Sequence, residues 1–109
     1  MSNVQPVSKN NFETEVIESI LPVVIDFWAE WCAPCHRVSP ILDELAGIYA
    51  DRVRVVKVNV DEEIEIAARY AVRSMPTFLF LRDGQVVDQV VGARPRSDFE
   101  ERFEKLVAG

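Results

Sequence analysis

Apolar residues recur along this chain with two periods, and the switches between them divide it into elements. Phe12, Val16, Ile17 and Ile20 share one face of a predicted helix. Asn10 or Asn11 can cap it, Glu13 stands three after Asn10 in a capping-box relation, and Pro22 ends it. Val23-Val24-Ile25-Asp26-Phe27-Trp28 is β-branched and aromatic with a single polar interruption, the pattern of a strand covered on both faces. Val38, Ile41, Leu42, Leu45 and Ile48 return to helical spacing. Pro40 inside that run removes one backbone donor and predicts a kink rather than a stop, because the apolar period continues beyond it. Val53 to Val60 reads as a second strand. Roughly two dozen residues, mostly helical, separate the two strands, which predicts a parallel pair joined by a right-handed crossover.

The second half follows the same logic. A short helix is expected from about Asp61 to Tyr70, with Ile64, Ala67 and Ala68 as its inner face, and Ser74-Met75-Pro76 interrupts the chain. Thr77 to Leu81 and Gln85 to Val91 flank Asp83-Gly84, a strong signal for an antiparallel hairpin. Ser97 with Glu100 predicts another capping box, opening a last helix lined by Phe99, Phe103, Leu106 and Val107. The order αβαβαββα gives an α/β fold in which helices cover both faces of a mixed sheet.

Composition narrows the class. One hundred and nine residues are enough for a single domain, 1–109, and 49% hydrophobic with 28% charged residues suits a packed core rather than disorder. Eighteen acidic against 12 basic residues leave a net charge of -6, which repels a phosphate backbone and argues against nucleic acid. The longest apolar run, Pro22 to Ala29, is broken by Asp26 and falls well short of the roughly 20 residues of a membrane span. Met1 to Lys9 lacks the basic and apolar stretches of an export signal, so a soluble, cytoplasmic protein is the expectation, and a monomer is expected as well. Two cysteines three residues apart are too few and too close to staple a secreted scaffold.

Their purpose is therefore chemical. Cys32 stands where a helix begins, and unpaired amide groups with the positive end of the helix dipole stabilise a thiolate there, making Cys32 the nucleophile. Cys35 lies one turn on and on nearly the same face, placed to attack a mixed disulfide formed at Cys32. Pro34 fits the first turn and stiffens the Ala33-Pro34 dipeptide between the thiols, on which their redox properties depend. Asp26 is anomalous in an apolar strand leading straight into this site. Desolvation there holds its proton to higher pH, so it can exchange a proton with Cys35; the alternative is a plain ion pair with Lys57 on the neighbouring strand. His36 can add positive charge beside the thiolate or stand as a solvated surface residue.

Asp26-Phe-Trp-Ala-x-Trp-Cys-x-Pro-Cys35, Pro40, Met75-Pro76-Thr77, and Phe80 to Gly92 together resemble the thioredoxin family, and the match runs from about Val4 to Leu106. The resemblance implies the thioredoxin fold, a central mixed five-stranded sheet flanked by four helices, with a first strand near Val4 to Val7. It implies a protein-disulfide reductase with no bound cofactor or metal, supplied with electrons from NADPH through thioredoxin reductase and acting on disulfide-containing target proteins. It also implies that Trp31, Met75, Pro76, Gly92 and Ala93 form a groove for the target chain beside Cys32, that Trp28 packs under the active-site loop, and that the Met75–Pro76 bond is cis. The chain departs from the pattern at Ala33 and at Ala71 and Ser74, where glycine is usual or common, at His36, where Lys or Arg is usual, and at Pro95.

Three rival readings attach to the same residues. Cys32-Ala-Pro-Cys35-His36 is literally a haem-attachment motif, but without an export signal, and with Met75 as the only internal methionine for an opposite ligand, the context is wrong. Zinc would find three ligands there and no second cluster to complete four. A redox-silent docking module would use the groove and make the thiols dispensable.

Overall fold

The computed structural model describes residues 2–109. Strand β1 (Gln5–Pro6) leads to a single π-helical segment, π1 (Glu13–Ile17). Then follow β2 (Val23–Trp28), α1 (Ala33–Ile48), β3 (Arg54–Asn59), α2 (Ile64–Arg69), β4 (Thr77–Arg82), β5 (Gln85–Val91) and α3 (Arg96–Ala108). The five strands form one mixed sheet in the order β1-β3-β2-β4-β5. β3 runs parallel to both β1 and β2, while β4 is antiparallel to β2 and to β5. With four helical segments around it, this is the thioredoxin fold.

Period-2 alternation sorts the strand residues between two cores. Val24, Val55, Phe78, Phe80 and Val90 pack with Val38, Leu42 and Leu45 of α1 and with Phe99, Phe103 and Leu106 of α3. Val23, Ile25, Phe27, Val56, Val58, Leu79 and Leu81 pack on the other face with Phe12, Val16 and Ile66. Phe78 meets Phe99 edge-on, with ring centroids 4.9 Å apart, and truncating either to alanine would cost about 3–5 kcal/mol. The same alternation places Asp26 on the face of Val24, and Lys57 on the face of Val55, so both are directed toward α1.

Several local expectations are corrected. Ile20 lies beyond π1 and is 92% exposed, because the segment ends where the Glu18 amide donates to the Glu13 carbonyl. No Asn10–Glu13 capping box forms: Asn11 accepts from the Ser8 amide, and Glu13 pairs with Arg69. α1 continues through Pro40, but Ile48 at its end is exposed. α2 starts at Ile64 and turns Ile66 and Ala67 inward, leaving Ile64 and Ala68 exposed. The last helix begins at Arg96 with Pro95 as its cap, so Ser97 lies inside it and Glu100 pairs with Arg96 instead of closing a box. Asp83 and Gly84 both have positive φ, at 53° and 76°, as the two central residues of a tight hairpin turn require. Among the described residues no helix is long and apolar enough to cross a membrane.

Candidate active site

Parallel strands deliver their ends to one edge of a sheet, and the site is built there. β2 ends at Trp28, opposite Asn59 at the end of β3, and the loop Ala29 to Trp31 carries the chain from β2 to the start of α1. Cys32 is the N-cap of α1, with extended backbone, and its sulfur accepts the Cys35 amide at 3.2 Å. Pro34 occupies the first turn, where its missing N–H breaks no helical bond. Cys32 and Cys35 are joined as a disulfide, and each is 4% exposed. They pack with Ala29, Trp28 and Met75.

The two sulfurs have different neighbours. Cys35, but not Cys32, lines a chamber of about 220 Å³ that reaches in to Asp26 and Lys57 and out to Glu30 and His36. Asp26 is buried, and its Oδ1 has no hydrogen-bond partner. Burial pushes its pKa up from 3.8 to about 7, the nearby Lys57 offsetting only part of that. Lys57 is the in-register neighbour of Asp26, and its Nζ lies 5.4 Å from the centre of the Trp28 ring. A plain Asp26–Lys57 ion pair does not form.

His36 is exposed, but it is not a loose surface residue. Its Nε2 lies 2.7 Å from the Glu30 carbonyl, and its ring meets Trp28 edge-on. A carbonyl only accepts, so Nε2 is assigned the proton. Among the described residues no group of three or more His, Cys, Asp and Glu side chains is placed to hold a metal ion.

Of the residues expected to form a groove, Met75 packs against the dithiol. Trp31 is 67% exposed, and its indole N–H donates to Asp61 at 2.9 Å. The Met75–Pro76 bond is cis, and the Pro76 carbonyl accepts the Gly92 amide at 2.8 Å, tying the end of β5 to the turn beside Met75. Gly92 has φ of 93°, a conformation that a side chain would strain, and Ala93 next to it is exposed.

Sequence reasoning missed Asp61, Glu30 and Ser39. The Trp28–Asn59 register holds the signal for Asp61: two residues past the end of β3, it meets a side chain three residues past the end of β2. Glu30 contributes its backbone carbonyl, which no side-chain pattern reveals. Ser39, one turn after Cys35, lines the chamber.

Comparison with known proteins agrees with this geometry. The family model described as Thioredoxin matches residues 3–105. The chain is 48% identical to thioredoxin 1 of Synechococcus elongatus, over 96% of this chain and 98% of that protein. It is 45% identical to the thioredoxin of Synechocystis sp., over 98% of this chain and all of that one. It is also 42% identical to the chloroplastic M-type thioredoxin of Pisum sativum, over 98% of this chain and 62% of that longer protein. With its paired cysteines at a helix start, the protein is a protein-disulfide oxidoreductase working by dithiol–disulfide exchange, and the chain belongs to the thioredoxin family.

Proposed function

We propose that this single-domain protein works as a monomeric reductant of protein disulfides in the cytoplasm, through its Cys-Ala-Pro-Cys site, and is recharged by thioredoxin reductase with electrons from NADPH. The observation that carries the reading is the unequal environment of the two sulfurs: Cys32 has a backbone amide, and Cys35 shares a chamber with Asp26.

The reduced Cys32 thiolate, favoured by the Cys35 amide and the helix start, attacks one sulfur of a target disulfide. A Cys32–target disulfide forms, and the target's other sulfur leaves as a thiolate. Cys35 then gives its proton to Asp26, and the Cys35 thiolate attacks the Cys32 sulfur. The Cys32–Cys35 disulfide closes and the second target sulfur is released. Two electrons pass from the dithiol to the target; reduction by the reductase restores both thiols. With its pKa raised to about 7, Asp26 can both hold and accept a proton near neutral pH. The target chain lies in the groove formed by Trp31, Met75, Pro76, Gly92 and Ala93, where the exposed indole and backbone groups are available to an extended segment.

Ala33 and Pro34 set the stiffness of the loop between the thiols, and His36 adds its hydrogen bond to the Glu30 carbonyl. Equilibrating the protein with glutathione at pH 7 tests the direction of electron flow. Reference potentials are about -270 mV for thioredoxin and about -180 mV for protein disulfide isomerase, and the value here is expected near the former. A potential near the isomerase value would make the protein an oxidant or isomerase and reject the reductant reading.

A further inference from the structure

The chamber that joins Cys35 to Asp26 has a buried end and a solvent end. Asp26 and Cys35 are buried, whereas Glu30, His36 and Ser39 are exposed. At the solvent end lies the hydrogen bond from His36 Nε2 to the Glu30 carbonyl at 2.7 Å. Glu30 lies two residues before Cys32 and His36 one residue after Cys35, so this bond ties the incoming loop to the first turns of α1 across the dithiol. The imidazole is held a second time by its edge-on contact with Trp28, which also lines the chamber.

We propose that His36 is a positioning residue that narrows the mouth of this chamber, holding the Glu30 carbonyl at its solvent end and limiting the access of water to the Asp26 carboxyl. The inference deepens the reading of Asp26 as the proton partner of Cys35. The unpartnered Oδ1 of Asp26 is the group with most to gain from water, because a carboxylate without a partner is costly where solvent is excluded. Removing the imidazole takes away one wall and releases the loop that forms another. More water then reaches the carboxyl and favours its ionised form.

The titratable groups around the chamber are Asp26 from β2, Glu30 from the loop, Cys35 and His36 from α1, and Lys57 from β3. A test must therefore separate the closing contact from the charge of His36 itself. His36→Gln keeps an amide donor for the Glu30 carbonyl and is neutral; His36→Ala removes the donor and the ring. The oxidised protein, with its aspartates labelled with 13C at the carboxyl, is titrated by NMR from pH 4 to 9, Asp26 being assigned by its loss in Asp26→Asn. The Asp26 midpoint is expected to fall by about one pH unit or more in His36→Ala and to stay near wild type in His36→Gln. His36→Ser serves as a second opening variant if the alanine form does not fold.

An unchanged Asp26 midpoint in a folded opening variant overturns the proposal, and so does an equal fall in the glutamine and alanine variants. Rates of disulfide exchange in Asp26→Asn separate this inference from the reading beneath it. If that variant exchanges like wild type while His36→Ala still moves the carboxyl titration, His36 limits water at the carboxyl but Asp26 is not the proton partner. If the titration does not move while Asp26→Asn slows exchange, Asp26 keeps its role and His36 loses the one assigned here.

Discussion

Asp26 and Lys57 are in-register neighbours on the paired strands β2 and β3, both directed toward α1, yet Asp26 Oδ1 has no hydrogen-bond partner and no ion pair joins the two residues. Lys57 lowers the pKa of the acid, but burial outweighs it and leaves Asp26 near pH 7. Holding an ionised acid there costs the fold.

That cost has a sign and a pH window. The folded pKa, about 7, lies above the ordinary 3.8, so between these values the folded state binds more protons than the unfolded chain and Asp26 makes stability fall as pH rises. The penalty is absent below about pH 4 and complete above about pH 7. Asp26→Asn is therefore expected to gain on wild type by up to about 4 kcal/mol between pH 4 and pH 8. Urea unfolding of both proteins at the two pH values checks this, since the other carboxylates cancel in the difference. An equal gap at both would contradict the buried-acid assignment.

The unequal neighbours of the two sulfurs give them an order of reaction. In the reduced protein Cys32 is expected to be alkylated first near neutral pH, and Cys35→Ser to accumulate a stable mixed disulfide through Cys32. Peptide mass mapping reads both. Label appearing first on Cys35 would reverse the roles.

Ala71 closes α2 in a left-handed conformation, with φ of 55°. The Ala71 amide donates to the Ala68 carbonyl and the Val72 amide to the Ala67 carbonyl, the paired bonds of a Schellman motif, whose left-handed position favours glycine. Ala71→Gly is expected to stabilise the protein by about 0.5–1 kcal/mol, because it relieves the Cβ strain at some cost in chain entropy. Ala68→Gly, within the helix, is expected to destabilise it by about 1 kcal/mol. Urea midpoints moving in the same direction for both variants would contradict this account of the cap.

Strong, long periodic signals in the sequence carried over into the structure, and short ones did not. β2, β4 and the hairpin around Asp83-Gly84 appear where the apolar pattern and turn chemistry put them, because burial on both faces of β2 and β4 and positive φ at the turn leave few other solutions. α2 has only six residues, less than two turns, so its periodicity could not decide between Ile64 and Ile66 as the inward residue. Ile20 had the right spacing for the first helix, but Pro22 follows two residues later and the helical segment ends before Ile20 is reached. At the site, the Cys pair, the buried position of Asp26 and the cis Met75–Pro76 bond were legible through motif and resemblance. Asp61 and the Glu30 carbonyl were not, because what brings them to the site is strand register and backbone geometry rather than residue type.

Reduction of insulin disulfides tests the central claim most directly. With dithiothreitol as electron source, the protein is expected to accelerate insulin precipitation well above the dithiothreitol background, and to do so again when NADPH and a thioredoxin reductase replace dithiothreitol. The Cys32→Ser, Cys35→Ser double variant is expected to fall to background in both assays. A double variant as active as wild type would contradict the dithiol account and leave the groove as a docking surface.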